Sequence, residues 1–267
     1  MTTDARRFEL ICEIEPATTP DLTRVRHQIG VLSPVATTFL IPDNHIGRAT
    51  VSSVAVAHEV EQMGGRSIAC LNARDRNLLG FRRDLLTAEA YGVDQFLFVY
   101  GDEPLAGART SELNVRTMLA EGREYSGGLA GSRDRKPMRF GAATGLRPLP
   151  AWKRAADFLC VQVGFSLDDL LAWRAELGDS VGADSGIPVY AGVIVIASVG
   201  MARNFTIPGL TVPPELVTGL ETDRNAGVDA ACDLVVGIRD SGAFDGVHLI
   251  PVARYREVAA RLERVLV

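Results

Sequence analysis

Phe8-Glu9-Leu10-Ile11-Cys12-Glu13-Ile14-Glu15-Pro16 is a short apolar run that ends on a proline. Its apolar part, Phe8–Ile14, reads as a strand. Pro16 stands where a dinucleotide-binding open sheet would carry the glycine turn G-x-G-x-x-G. Further apolar runs follow at Val35–Ile41, Ser67–Leu71, Gln95–Tyr100, Arg139–Ala143, Phe158–Val163, Val189–Ile196 and Gly246–Ile250. Most are rich in Val, Ile, Leu or Phe, the composition of parallel strands covered on both faces. Helical patterns lie between them, at Ser52–Met63, Leu78–Tyr91, Glu112–Glu121, Leu167–Leu177, Ala226–Arg239 and Tyr255–Leu266. Ser166 or Asp168 can open one of these helices, and Gly64-Gly65 or Gly92 can close others. Eight strand candidates alternating with helices, without the open-sheet phosphate turn, predict an α/β protein built as a single (βα)8 TIM barrel over residues 1–267. Gly127–Arg135, rich in glycine and charge, reads as a flexible surface loop within that one domain.

The 267 residues are 47% hydrophobic and 23% charged, ordinary for a globular chain with one large core. The 28 basic and 33 acidic side chains are interspersed and leave a net charge of -5. Displacing counterions from nucleic acid needs a basic face, so no nucleic-acid partner is expected. The longest apolar stretch, Val189–Val199, is too short to cross a bilayer, and no membrane partner is expected. Cys12, Cys70, Cys160 and Cys232 form no C-x-x-C pair, and His27, His45, His58 and His248 show no zinc spacing. The sequence therefore reads as a cytoplasmic protein with reduced, buried thiols and no catalytic metal, and no G-x-S-x-G elbow supports serine-hydrolase chemistry.

In such barrels chemistry sits at the C-terminal ends of the strands. The first strand ends with Glu13 and Glu15, two residues apart and so on one face. A carboxyl group buried there suits a general acid, and pairing with a basic residue of a neighbouring strand is the alternative. The fourth ends Val99-Tyr100-Gly101-Asp102-Glu103-Pro104, either a ligand-approaching loop or a plain turn. Gln162 lies in the otherwise apolar sixth strand, where a buried amide could read a heterocycle or bond its neighbours. Arg74-Asp75-Arg76-Asn77 after the third strand offers guanidinium groups for an anionic ligand, or a local ion pair.

Together these strand ends resemble the methylenetetrahydrofolate reductase family. Cys12-Glu13-Ile14-Glu15-Pro16-Ala17 is similar to its F-E-F-x-P-P motif, and Ala73–Gly80 with Asp84-Leu85-Leu86 to a C-R-D-R-N stretch. Tyr91-Gly92-Val93 with Gly101-Asp102-Glu103-Pro104 resembles an LGI…GDPP pattern. Ala155-Ala156-Asp157 with Cys160-Val161-Gln162-Val163 is similar to AGAD…TQ, and Gly246–Ile250 to a last strand GVHFY. The resemblance spans nearly the whole chain in order. It implies reduction of 5,10-methylenetetrahydrofolate to 5-methyltetrahydrofolate with NADH or NADPH as donor. Glu13 would be the acid that opens the substrate's five-membered ring, Asp102 would bind the pterin and stabilise positive charge, and Gln162 would bind the pterin or the nicotinamide. Positions Cys70, Asn72, Arg74, Tyr100, Gly101, Ala143 and Lys153 match places that hold FAD in the family. Cys70 stands for a histidine there, Tyr100 for an Arg or Thr, Ala142–Lys153 is shortened, and Val199 stands near where some members place an aromatic residue. Two cofactor schemes follow: bound FAD, or direct hydride transfer from the nicotinamide. A pterin-binding or regulatory barrel without reductase activity, or a reductase for another pterin, is the alternative function, and a homo-oligomer is compatible with either.

Overall fold

The computed structural model describes residues 8–128, 137–178, 181–182, 185–207 and 209–266. In chain order the elements are β1 (Glu9–Glu13), α1 (Thr23–Leu32), β2 (Thr38–Ile41), α2 (Ser53–Gln62), β3 (Arg66–Asn72), α3 (Leu78–Ala90), β4 (Gln95–Val99), α4 (Val115–Gly128), β5 (Arg139–Thr144), β6 (Phe158–Gly164), α5 (Leu167–Leu177), β7 (Val189–Ile194), α6 (Val199–Arg203), α7 (Pro214–Thr222), α8 (Ala226–Ser241), β8 (Gly246–Ile250) and α9 (Tyr255–Leu266). The strands pair in parallel in sequence order, and β8 closes on β1, so the barrel expected from the alternation is formed. Among the described residues no helix is long and apolar enough to cross a membrane.

Two apolar regions follow from the period-two alternation of the strands. Ile11, Leu40, Ile68, Leu97, Phe158 and Tyr190 fill the barrel interior. Their neighbours in sequence, such as Leu10, Cys12, Phe39, Ala69, Phe96 and Leu159, point outward and pack beneath the helices. Glu9 sits at the N-terminal end of the barrel, where it accepts from Thr38 Oγ1 at 2.6 Å, Arg66 Nη2 at 2.6 Å and Tyr190 OH at 2.8 Å. All four cysteines are free and buried.

Several boundaries differ from the sequence reading for local reasons. The helix expected at Glu112–Glu121 starts at Val115, because the Asn114 side chain accepts from Thr117 N at 3.0 Å and so caps it. That helix runs on to Gly128, so Gly127-Gly128 are its last turn and not loop, while 129–135 lie outside the described residues. The strand read from Val35 begins at Thr38, and the one read to Ile196 ends at Ile194. Three helices, α1, α6 and α7, were not anticipated. Ser166 does open α5, its side chain accepting from Asp169 N at 3.2 Å.

Candidate functional site

A cavity of about 700 Å³ opens at the C-terminal ends of the strands, and Glu13, Asp102 and Gln162 all line it. The elements bring each of them there by a different route.

Glu13 is the last residue of β1, and its inward side chain meets His248 of β8, Oε2 to Nε2 at 3.1 Å. The two side chains are 12% and 10% exposed, so the pair is nearly desolvated but open to the cavity. β1 and β8 pair with Ile11 opposite His248, which sets the imidazole one inward layer below Glu13. A basic partner from a neighbouring strand, one of the two readings of this glutamate, is thus present, and it lies inside the candidate site. The sequence alone marks His248 only by its place two residues before the end of an alternating strand. Glu15 does not share the face of Glu13. The strand has ended before it, and Glu15 forms an exposed ion pair with Arg24 at 2.6 Å.

Asp102 follows Gly101, whose φ of +96° lets the chain turn out of β4 where a side chain would meet Asn72 Cβ at 3.1 Å and Arg74 Cβ at 3.2 Å. The Asp102 carboxylate accepts from Ile46 N at 3.0 Å. Gly47 O accepts from Leu105 N at 3.0 Å, so the loops after β2 and β4 brace each other at the mouth. Beneath them Arg74 is buried. It clasps Asp75 through Nε at 2.6 Å and Nη2 at 2.5 Å, and its Nη1 donates to the Asp102 carbonyl. That bidentate bond from Arg74 holds the Asp75 carboxyl down at about 2, with Asn44 and Asn72 adding hydrogen bonds. Asn72 gives its Nδ2 to Asp43 at 2.6 Å and takes Asp75 N on Oδ1 at 2.9 Å. Asn72 and Arg74 therefore do not line the cavity, contrary to their assignment as cofactor contacts; they build the ledge under Asp102.

Gln162 is exposed to the cavity, where a buried amide was expected. Gln162 lies two residues beyond the inward Cys160, and a bulge begins there: β6 pairs Cys160 with Tyr190 but Val163 with Gly192, so Val161 and Gln162 stand opposite the single Ala191 of β7. Cys70, Tyr100, Gly101, Ala143 and Lys153 line the cavity as well. Burial first, then the carboxylates of Glu13 and Asp43, push the Cys70 thiol up, so it is a neutral, weakly polar part of the wall. Lys153 donates to Ala143 O at 2.6 Å, and burial followed by nearby Arg147 pulls its ammonium below the ordinary value.

Charge is divided across this cavity. Glu13 and Asp43 stand at β1 and the β2 end; Arg147 and Lys153 follow β5, half a turn of the barrel away, and Arg116 enters from the start of α4. None of these three cations forms an ion pair among the described residues, whereas Arg24, Arg26, Arg66, Arg74, Arg76 and Arg82 all do. No group of three or more His, Cys, Asp or Glu able to hold a metal occurs among the described residues.

A closed parallel (βα)8 barrel with carboxylates, an amide and cations around one open C-terminal cavity defines a barrel protein shaped for a small polar ligand. The chain belongs to the methylenetetrahydrofolate reductase family, whose sequence model matches residues 32–265. No curated protein sequence matches it. Among solved structures, an uncharacterised protein from Clostridium thermocellum that binds two copies of 5-methyl-5,6,7,8-tetrahydrofolic acid is similar with TM-score 0.65 and 11% identity, over 98% of this chain and 97% of that one. A glycoside hydrolase family 17 β-1,3-glucanosyltransferase from Rhizomucor miehei (TM-score 0.54, 13% identity, 90% and 85% covered) and a GH18 chitinase from Pseudoalteromonas aurantia (0.54, 10%, 97% and 100%) are similar too. At these identities the likeness concerns the fold.

Proposed function

We propose that this protein reduces 5,10-methylenetetrahydrofolate to 5-methyltetrahydrofolate by direct hydride transfer from NADH or NADPH. The observation that carries the proposal is the convergence of Glu13, Asp102 and Gln162 on one cavity in a chain of the methylenetetrahydrofolate reductase family. The Clostridium thermocellum protein, which binds 5-methyltetrahydrofolate on the same fold, supports a reduced pterin as the ligand.

Each residue has a task its surroundings suit. Glu13 in its protonated form gives a proton to the substrate nitrogen N10 as the five-membered ring opens. His248 holds the carboxyl group in place through the 3.1 Å contact. The resulting iminium carbon takes hydride from C4 of the dihydronicotinamide, which yields the methyl group and the oxidised dinucleotide. Asp102 as a carboxylate attracts the pterin's N–H donors and the positive charge that develops. Val163 N–H donates to the Gln162 Oε1 at 3.2 Å, which leaves Nε2 as the donor toward the ligand. Arg116 and Arg147, which form no ion pair among the described residues, suit the phosphates of the dinucleotide or the carboxylates of the folate tail.

FAD fits these residues poorly. Of the places that hold it in the family, Arg74 and Asn72 have their polar groups engaged inside the protein, Cys70 offers a neutral thiol, and the Lys153 ammonium is turned to Ala143 O. No step is therefore assigned to a flavin.

Anaerobic assay of the purified protein tests the proposal. The expected protein is colourless and oxidises one NADH or NADPH per 5-methyltetrahydrofolate formed. Glu13→Gln should lower kcat at least 100-fold, within the range that acid catalysis supplies, and keep the Kd for 5-methyltetrahydrofolate within about threefold. Tight 5-methyltetrahydrofolate binding with no dinucleotide oxidation would instead establish a pterin-binding barrel. Bound FAD that turns over would replace the direct-transfer scheme.

A further inference from the structure

We infer that Gly192 is a positioning residue: its missing side chain makes room for the β6 bulge that brings the Val163 N–H to the Gln162 amide and so fixes which end of the amide meets the ligand. This rests on the ligand role proposed for Gln162. β7 turns Tyr190 and Gly192 toward the barrel axis, and Gly192 lies opposite both Val163 on β6 and His248 on β8. A Cβ at 192 would stand 2.4 Å from Val161 O, 2.7 Å from Val163 N and 2.8 Å from Gln162 C. All three are backbone atoms of the bulge, so no side-chain rotation relieves the clash. The φ of Gly192 is not among the positive ones, so glycine is required here by space and not by backbone conformation.

The bulge has a chemical consequence. Strict alternation would turn Val163 outward with Val161. With the extra residue, Gln162 and Val163 both line the cavity, and Gly164 faces α5, its Cβ position 3.2 Å from Leu170. Val163 N–H is then answered by the Gln162 amide oxygen. An N–H can be answered by the oxygen alone, so the amide cannot flip, and its Nε2 is the end presented to the ligand. A side chain at 192 drives the bulge back toward regular pairing and releases that lock.

A double-mutant cycle on the full chain tests this, with 5-methyltetrahydrofolate as the probe. Gly192→Ala and Gln162→Ala should each weaken binding about tenfold, and the double variant should bind within threefold of Gln162→Ala. Amide hydrogen exchange at Val163 should accelerate in both single variants. Gly192→Ala with unaltered binding and exchange, or losses that multiply in the double variant, overturns the inference. Unaltered binding by Gln162→Ala removes the ligand role of Gln162 instead, and the exchange at Val163 then still reads the positioning. Should Gly192→Ala fail to fold, deletion of Val161 in the same chain removes the extra residue. Recovery of the fold without binding supports the inference, and failure of that chain too would make Gly192 a requirement of the barrel and overturn its specific role.

Discussion

Arg74 is a 2% exposed cation whose partners lie in two loops: the Asp75 carboxylate beside it and the Asp102 carbonyl across the cleft. A charge that far from water persists only while both are in place. The Asp75 carboxyl, 26% exposed, is held at about 2 by that pairing, below its ordinary 3.8. A depressed folded-state value stabilises the fold above pH 4 and loses that effect as pH falls toward 2. The shift corresponds to about 2 kcal/mol at neutral pH, and about half of it survives at pH 3. Asp75→Asn should therefore unfold at lower urea than the wild type at pH 6, and the gap should narrow by about half at pH 3. A gap independent of pH would mean that the ion pair does not set the stability of this ledge. The same substitution frees the Arg74 guanidinium under Asp102, so 5-methyltetrahydrofolate binding should weaken with it.

Helix α8 packs directly against the segment leaving β7. At Gly227, in its first turn, a Cβ would fall 1.9 Å from Ile196 O on the segment leaving β7. Helix propensity favours alanine over glycine by about 1 kcal/mol, whereas a backbone clash of this kind costs about 1–3 kcal/mol. The sign of the effect separates the two. Gly227→Ala is expected to lower the urea midpoint, and a raised midpoint would show that α8 can lift off without cost. The contrast marks what was legible in the sequence. Apolar runs bounded by turn residues gave all eight strands, and Leu167–Leu177 and Tyr255–Leu266 match the helices α5 and α9 end to end. Glu13 and Asp102 were legible because a strand end is a local feature. α1 was not, because one of its four inward positions is the polar Gln28, nor was α7, which starts on consecutive prolines. The bulge that locks the Gln162 amide depends on Gly192, thirty residues on, and the Glu13–His248 pair on barrel closure; neither contact has a local signature.

On the scale of the molecule, closure divides the barrel into two ends with different work. The C-terminal end carries the cavity, its carboxylates and its cations. At the N-terminal end Glu9 gathers Thr38, Arg66 and Tyr190, from strands on both sides of β1. Between them lies the apolar interior of Ile11, Leu40, Ile68, Leu97 and Phe158. Stability and chemistry should therefore respond to substitution separately. Burial, then Glu9, pushes the Tyr190 hydroxyl up, so it stays a neutral donor to that carboxylate. Tyr190→Phe keeps the ring against Phe158 (centroids 6.0 Å apart) and removes the donor alone. A hydrogen bond to a charged group contributes about 1.5–3 kcal/mol, so unfolding free energy should fall by about 2 kcal/mol. Because Tyr190 does not line the cavity, kcat and the Kd for 5-methyltetrahydrofolate should stay within about twofold of wild type, in the direction that barrel architecture dictates. Loss of activity at unchanged stability would show that the apolar interior transmits strain from one end of the barrel to the other.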